Sequence, residues 1–313
     1  MNIILAQPRG FCAGVVRAIE IVERALKIYP SPIYVLHEIV HNRYVVEDLR
    51  KRGAVFVETL DEVPTNAVCI FSAHGVATTV VKKAEQQQLQ IIDATCPLVT
   101  KVHSQAQRYA KQDFEIIIIG HTGHPEVEGV RGSVQATVHV LCTAKEVKKL
   151  QVKNPKRVAY VTQTTLSVDD TREVIEALTA RFPEIKGPAL SDICYATQNR
   201  QNAVRQLAAN IDVLLVVGSQ NSSNSNRLQE LGKQVGSQSY LIENADSLKK
   251  EWFLDKSSVG ITAGASAPEI LVEEVLQRLK TFGVKNVKNM QGEPETTTFR
   301  IPDNLLKTKG KQL

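Results

Sequence analysis

Residues 96–110, CPLVTKVHSQAQRYA, open on a cysteine and run on as an amphipathic helix, and the chain does the same twice more. Residues 12–26 read CAGVVRAIEIVERAL, and residues 194–208 read CYATQNRQNAVRQLA. Cys12, Cys96 and Cys194 thus stand 84 and 98 residues apart. The stretch after each helix also repeats. A strand leads into a polar loop (HEIVHN, GHTGHPEVEG, GSQNSSNSN), and a helix and second strand come next (VFVE, VHVL, SYLI). A short segment (TLDEVP, TAKEVKKL, ADSLKKEW) then precedes a third strand, which ends in SAHGV, TQTT or TAGASAP. One order of parts, kept through three units of about 100 residues, marks a single supersecondary design used three times.

Ten short runs read as strands: 3–6, 33–36, 55–58, 68–71, 116–119, 138–141, 158–161, 213–217, 240–242 and 259–262. They are apolar throughout, as parallel strands buried on both faces are. Helices such as 15–26 and 171–181 alternate with them, which argues for right-handed βαβ units and an α/β protein. The chain then divides into a first lobe over 14–96, a second over 97–193, and a third over 194–281. Residues 1–13 complete the third lobe, because the strand at 3–6 precedes Cys12 and belongs to no earlier unit. The tail, 282–313, fits no unit; TTTFRIP (296–302) reads as an added strand and KTKGKQL (307–313) as a mobile end. Ligands of open parallel sheets bind beyond the carboxyl ends of the strands. Three similar lobes with mostly parallel sheets, in a pseudo-threefold arrangement, would present three cysteines and six polar loops to a common centre.

Composition narrows the function. A chain of 313 residues, 43% hydrophobic and 23% charged, is an ordinary soluble globular protein of two or three domains. Its longest apolar runs, such as 116–119 and 213–217, fall far short of the roughly 20 residues of a membrane helix. MNIILAQPRG has no basic region ahead of an apolar run, so it does not read as a signal peptide. Five widely spread cysteines do not make a disulfide framework; reduced thiols of a cytoplasmic protein are expected. A net charge of +5 with 5% aromatic residues suits small anionic ligands and argues against nucleic acid.

A cysteine at a helix start meets free N–H groups and a partial positive charge, which favour the thiolate and hence a ligand role. Cys69 and Cys142, inside or ending strands, read instead as small hydrophobes. No C-x-x-C pair suggests structural zinc, whereas isolated cysteines suit an iron–sulfur cluster. Three ligands on a four-iron cluster leave one iron open to act as a Lewis acid and to pass electrons. His41, His74 and His124 occupy corresponding loops, and Ser222, Ser223, Asn224 and Ser266 stand beside helix starts that could cradle phosphate. NSSNSN could also be only an elaborate helix cap. Glu126 is the general-acid candidate, with Glu128 as its surface neighbour, and Thr164 and Thr165 could relay a proton or bind a substrate hydroxyl. His37-Glu38-Ile39-Val40-His41 matches the H-E-x-x-H zinc-hydrolase pattern, but SPIYVL reads as a strand running into His37, where that mechanism needs a helix.

PRGFCAGVVRAI, HEIVHNRYVV, FSAHGV, DATCPLVTKVH, GHTGHPEVEG, TQTTLSVDDT, DICYATQNRQ, GSQNSSNSNRL and TAGASAP, in this order, resemble the 4-hydroxy-3-methylbut-2-enyl diphosphate reductase family. The resemblance spans roughly residues 1 to 280, omits the tail, and shows no departure at a motif position. It implies three lobes around a central [4Fe–4S] cluster held by Cys12, Cys96 and Cys194. It implies that the allylic hydroxyl of the substrate binds the open iron, with the diphosphate held by His41, His74, His124, Ser222, Ser223, Asn224 and Ser266. Glu126 would deliver protons, Thr164 would act at the hydroxyl end, and a ferredoxin or flavodoxin would bring electrons one at a time. A zinc hydrolase built on HEIVH and a non-catalytic iron–sulfur sensor are the competing readings.

Overall fold

The computed structural model describes residues 1–188 and 192–306; KTKGKQL lies outside the described residues. Chain order runs β1 (Asn2–Leu5), α1 (Ala13–Ile28), β2 (Ile33–Leu36), α2 (Arg43–Lys51), β3 (Ala54–Val57), β4 (Val68–Phe71), α3 (Thr78–Gln86) and β5 (Gln90–Asp93). Next come α4 (Pro97–Ala110), β6 (Glu115–Ile119), α5 (Pro125–Arg131), β7 (Val138–Leu141), α6 (Ala144–Val147), β8 (Val158–Thr162) and α7 (Val168–Arg181). The remainder is α8 (Tyr195–Ala208), β9 (Val213–Val217), α9 (Ser223–Val235), β10 (Gln238–Ile242), β11 (Ser258–Ala263), α10 (Glu269–Lys280) and β12 (Asn286–Asn289). The protein is α/β, with three sheets whose strands all pair in parallel.

The sheets share one internal plan. Their orders are β3-β2-β4-β5, β7-β6-β8 and β10-β9-β11-β1-β12, so each places its first repeat strand between the second and the third. Beside the third strand comes the segment that leads into the next cysteine: β5 before Cys96, β1 before Cys12, and for β8 a single bridge from Ala159 to Lys186 before Cys194. The strand at the amino terminus therefore does pair with β11, in the register Ile3 to Val259 and Leu5 to Ile261.

Central strands are apolar because both their faces are covered. Residues of β4, β6, β8 and β9 are buried without exception. Helices cover them with one face: in α1, Ala18, Ile21, Val22 and Ala25, spaced as one stripe of a helix, are fully buried. Pro97 and Pro125 start α4 and α5, where the missing N–H costs nothing. Gly236 ends α9 at φ 106°, a left-handed cap that favours glycine.

Two strands have no counterpart among the expected runs. Both are edges: β12 is exposed at every residue and carries no apolar code, while β5 is exposed at its two ends and keeps only the pair Ile91 and Ile92. The strand after α10 is β12, upstream of TTTFRIP, and residues 296–302 adopt no regular structure. Contacts gather the described chain into two compact units. The first holds Met1–Val15, His41–Val45 and Tyr195–Thr298, with the five-stranded sheet. The second holds Val16–Val40, Val46–Cys194 and the segment from Phe299, with the four- and three-stranded sheets.

Candidate active site

The same hydrogen bond recurs at each repeated cysteine. Cys12 N–H donates to Ala265 O (3.1 Å), Cys96 N–H to Ala73 O (3.0 Å), and Cys194 N–H to Thr164 O (3.1 Å). Each acceptor is the second residue past its third strand, so the repeat extends to the backbone that aims each thiol. All three cysteines are outside any disulfide and half-buried. Cys69 differs: it is fully buried, and burial pushes its thiol up to about 12, which leaves it inert. Cys142 is half-buried, with its Sγ 3.4 Å from His121 Nδ1, so it is not the core hydrophobe that its place at a strand end suggests.

In the second unit the expected residues form one connected path. Ala73, which holds Cys96, is followed by His74, whose ring meets the His124 ring edge-on at 6.2 Å. Ser72 Oγ lies 3.3 Å from His74 Nδ1. His124 caps α5, its Nδ1 accepting the Glu126 N–H at 3.2 Å. Because Nδ1 accepts there, the proton of the neutral ring sits on Nε2. Glu126 is 3% exposed, and both its oxygens are engaged by Thr164: the backbone N–H at 2.7 Å and the hydroxyl at 3.0 Å. Thr164 O in turn accepts from Cys194. Burial raises the Glu126 carboxyl to about 7; the two bonds from Thr164 oppose that rise and the charge of Asp192 adds to it. Thr165 Oγ1 accepts from Gln163 Nε2 at 2.9 Å, so Thr165 lies beside the path and is not joined to Glu126 by any bond described.

The first unit has its own path. Beyond Ala265, which holds Cys12, Ser266 donates to His41 O (2.9 Å), and Arg43 N–H donates to Ser219 Oγ (3.3 Å) in the loop after β9. That loop leads to Ser222, the cap of α9, which accepts Ser225 N–H (3.3 Å) and Ser225 O–H (3.1 Å). Gly218 and Gly264 let this helix start approach, since a Cβ on either would collide with Ser225 Oγ. The capping reading accounts for Ser222 and Ser225 but not for Asn224. Asn224 is 4% exposed, and both its Nδ2 and its Oδ1 lack a hydrogen-bond partner among the described residues. A buried amide left so costs about 1–3 kcal/mol per group, a cost that a polar ligand would offset. Ser223, at the first position of α9, is half-buried beside it.

Three contributors escaped the sequence reading. Ser225 and Ser72 brace named residues, and only their neighbours in the loops hinted at them. Asp192, 6% exposed, accepts Thr162 N–H at 3.3 Å while its Oδ1 is unpartnered among the described residues, and burial raises its pKa. The zinc-hydrolase pattern lacks its helix, as the strand running into His37 implied: residues 37–41 form no helix, His37 has φ 60°, and its Nε2 faces Glu58 O at 3.1 Å. Two histidines one helical turn apart, which that chemistry requires, are not there.

Comparison with known proteins agrees. A protein of Ectopseudomonas mendocina (strain ymp) and one of Acinetobacter baumannii (strain AYE), both named 4-hydroxy-3-methylbut-2-enyl diphosphate reductase, are 57% and 55% identical to this chain over 309 residues. Each match covers 97% of this chain and 98% of the relative. Among solved structures, the E-1-hydroxy-2-methyl-but-2-enyl-4-diphosphate reductase of Plasmodium falciparum superposes with a TM-score of 0.94 at 37% identity, covering 97% of this chain and 96% of that one. A second, an (E)-4-hydroxy-3-methyl-but-2-enyl diphosphate reductase described as the terminal enzyme of the non-mevalonate pathway, gives 0.65 at 33% identity over 90% of this chain and all of its own. The family model described as LytB protein matches residues 3–280, and the chain therefore belongs to the LytB family of reductases.

Proposed function

We propose that the protein reduces (E)-4-hydroxy-3-methylbut-2-enyl diphosphate to isopentenyl and dimethylallyl diphosphate. One C–O bond breaks, two electrons and two protons enter, and the hydroxyl leaves as water. One observation carries the reading: Thr164 holds Cys194 through its carbonyl and Glu126 through its N–H and hydroxyl, so one residue joins a ligand candidate to an acid.

Cys12, Cys96 and Cys194 are the proposed ligands of a [4Fe–4S] cluster. The donor set fits it: three thiols outside any disulfide, each on a loop held by the same backbone bond and each leading into a helix. When bound, the cluster supplies single electrons and a Lewis-acidic iron. The chain's own residues do the rest. Asn224, Ser222, Ser223, Ser266, His41, His74 and His124 are proposed to hold the diphosphate. The unpartnered amide of Asn224 is a suited donor. Glu126, half-protonated near neutrality, delivers protons through or beside the Thr164 hydroxyl. Thr165 stands by that hydroxyl end as a further substrate contact. A ferredoxin or flavodoxin of a reducing cytoplasm is the proposed electron donor. No helix of the described residues is long and apolar enough to cross a membrane.

The test is anaerobic purification, followed by iron, sulfide and zinc analysis and an assay with a reduced one-electron dye. About four irons and four sulfides per chain, with turnover, are expected. Cys12→Ser should lose both. A protein that holds one zinc after reconstitution with iron and sulfide, and never turns over, would sink the proposal.

A further inference from the structure

The segment of residues 290–298, after β12, lies outside the threefold repeat and has no regular structure, yet it is tied to the loop that carries Cys12 at three points. At its start, Gly292 packs against the backbone of Gln7: a Cβ there would stand 2.5 Å from Gln7 O, so no side chain fits. In its middle, Glu295 pairs with Arg200 of α8, which is fully buried. Near its end, Thr297 hydrogen-bonds the Tyr195 phenol, and that phenol oxygen accepts Ala13 N–H at 3.4 Å. Gln7, Gly10 and Ala13 bracket Cys12, and the segment reaches each directly or through one side chain.

Arg200 is the centre of this arrangement. Its Nε and Nη2 donate to Gly10 O at 3.1 and 2.6 Å, and its Nη1 donates to Ala196 O at 2.9 Å. Nη1 and Nη2 then grip Glu295 Oε1 and Oε2 at 3.0 and 3.1 Å, which uses every N–H of the guanidinium. Asn199 Nδ2 adds a bond to the same carboxylate at 3.1 Å. A buried guanidinium needs a countercharge to stay in place. Glu295 supplies it, and the fork geometry converts that charge into a fixed direction for the Gly10 carbonyl. Gly10 stands at φ 69°, two residues before Cys12.

We propose that residues 291–298 are a positioning strap for the Cys12 loop, with Glu295 as the residue that locks Arg200 onto it. The strap fixes where Cys12 stands; its effect on the cluster rests on the assignment of Cys12 above. Thr95, beside Cys96, is reached separately through Arg17, which donates to Thr95 O at 3.0 Å and to Arg300 O at 2.8 Å, so losing Glu295 should act first on Cys12.

The experiment compares the full-length, anaerobically reconstituted protein as wild type, Glu295→Gln, and Leu279→Ala, a truncation of a fully buried residue in the same unit. Iron release to a chelator and the electron paramagnetic resonance spectrum of the reduced cluster are recorded beside the melting temperature. Glu295→Gln should release iron several-fold faster and shift the spectrum. Leu279→Ala should melt lower yet keep the wild-type spectrum and release rate. A Glu295→Gln protein with wild-type spectrum and release rate overturns the strap. Should that variant fail to fold, Thr297→Val carries the test in the same direction, and an unchanged spectrum again overturns it. If the wild type takes up no cluster, the proposed function falls by itself. The strap is then read from alkylation of Cys12 relative to Cys96 in the same full-length chain: a several-fold rise on Glu295→Gln supports it, and an unchanged ratio refutes it.

Discussion

Glu115 opens β6 and Glu126 stands in α5 beyond its far end; both expose little surface, Glu126 lies far deeper, and their pKa values shift in opposite directions. At the amino end of β6, burial alone would raise Glu115. Bonds from His139 Nε2 (3.0 Å), Lys153 N–H (2.6 Å) and Asn154 N–H (3.3 Å) outweigh it and hold the carboxyl below its ordinary range. Beyond the carboxyl end, Glu126 has only Thr164 to set against burial, and its carboxyl rises to about 7. The first unit repeats the contrast. Asp212, just before β9, accepts from the backbone and hydroxyl groups of Ser258 and Ser257, which lower its pKa, while Asn224 beyond the other end of β9 has no partner among the described residues. In these two pairs the group where the strand begins has more hydrogen-bond partners than the one beyond its end. Unspent hydrogen-bonding capacity marks the end at which a ligand would be received.

The sharpest break of this contrast is Glu126→Gln, which keeps shape and removes the proton. Turnover with a reduced dye should fall by about 10²–10⁴ while iron content holds, a size typical of general acids. Intact function would favour a sensor instead.

Next in size is the pH dependence of stability. The Glu126 carboxyl rises from 4.5 to about 7 on folding. The folded state therefore holds its proton more tightly, and stability falls as pH rises from 4.5 to 7. The span is roughly 3 kcal/mol. Chemical denaturation of Glu126→Gln across that window should lack this slope. Glu115 runs the other way: its contribution is present above the unfolded value of 4.5 and is lost as pH falls through the lower folded value. Glu115→Gln should cost about 2 kcal/mol at pH 7, read from the denaturation midpoint, and leave turnover alone.

Asn224→Leu should be neutral or mildly stabilising, because it removes an unpaired buried amide, while KM for the diphosphate rises about tenfold. The smallest effect is expected of Thr164→Val. It removes one of two bonds that lower the Glu126 carboxyl, so the alkaline limb of the pH–rate profile should move up by about one pH unit. An unmoved limb would detach Thr164 from the acid.

The sequence by itself determined the repeat, the parallel strands, the cysteines that open helices, and the loops that carry the polar residues. These are local signals: an apolar run such as Ile116–Ile119, or a cysteine before a helical stripe, states its role within a dozen residues. Only the tertiary structure decided the edges and the chemistry. The strand β12 has no apolar pattern and β5 only the pair Ile91 and Ile92, because an edge buries little, so pairing with β1 and β4 is what makes them strands. Glu115 and Glu126 are the same residue type near the ends of one strand, and what distinguishes them is partners 24 to 39 residues away. Burial and hydrogen-bond saturation are sums over neighbours brought from distant parts of the chain. No window of sequence contains them.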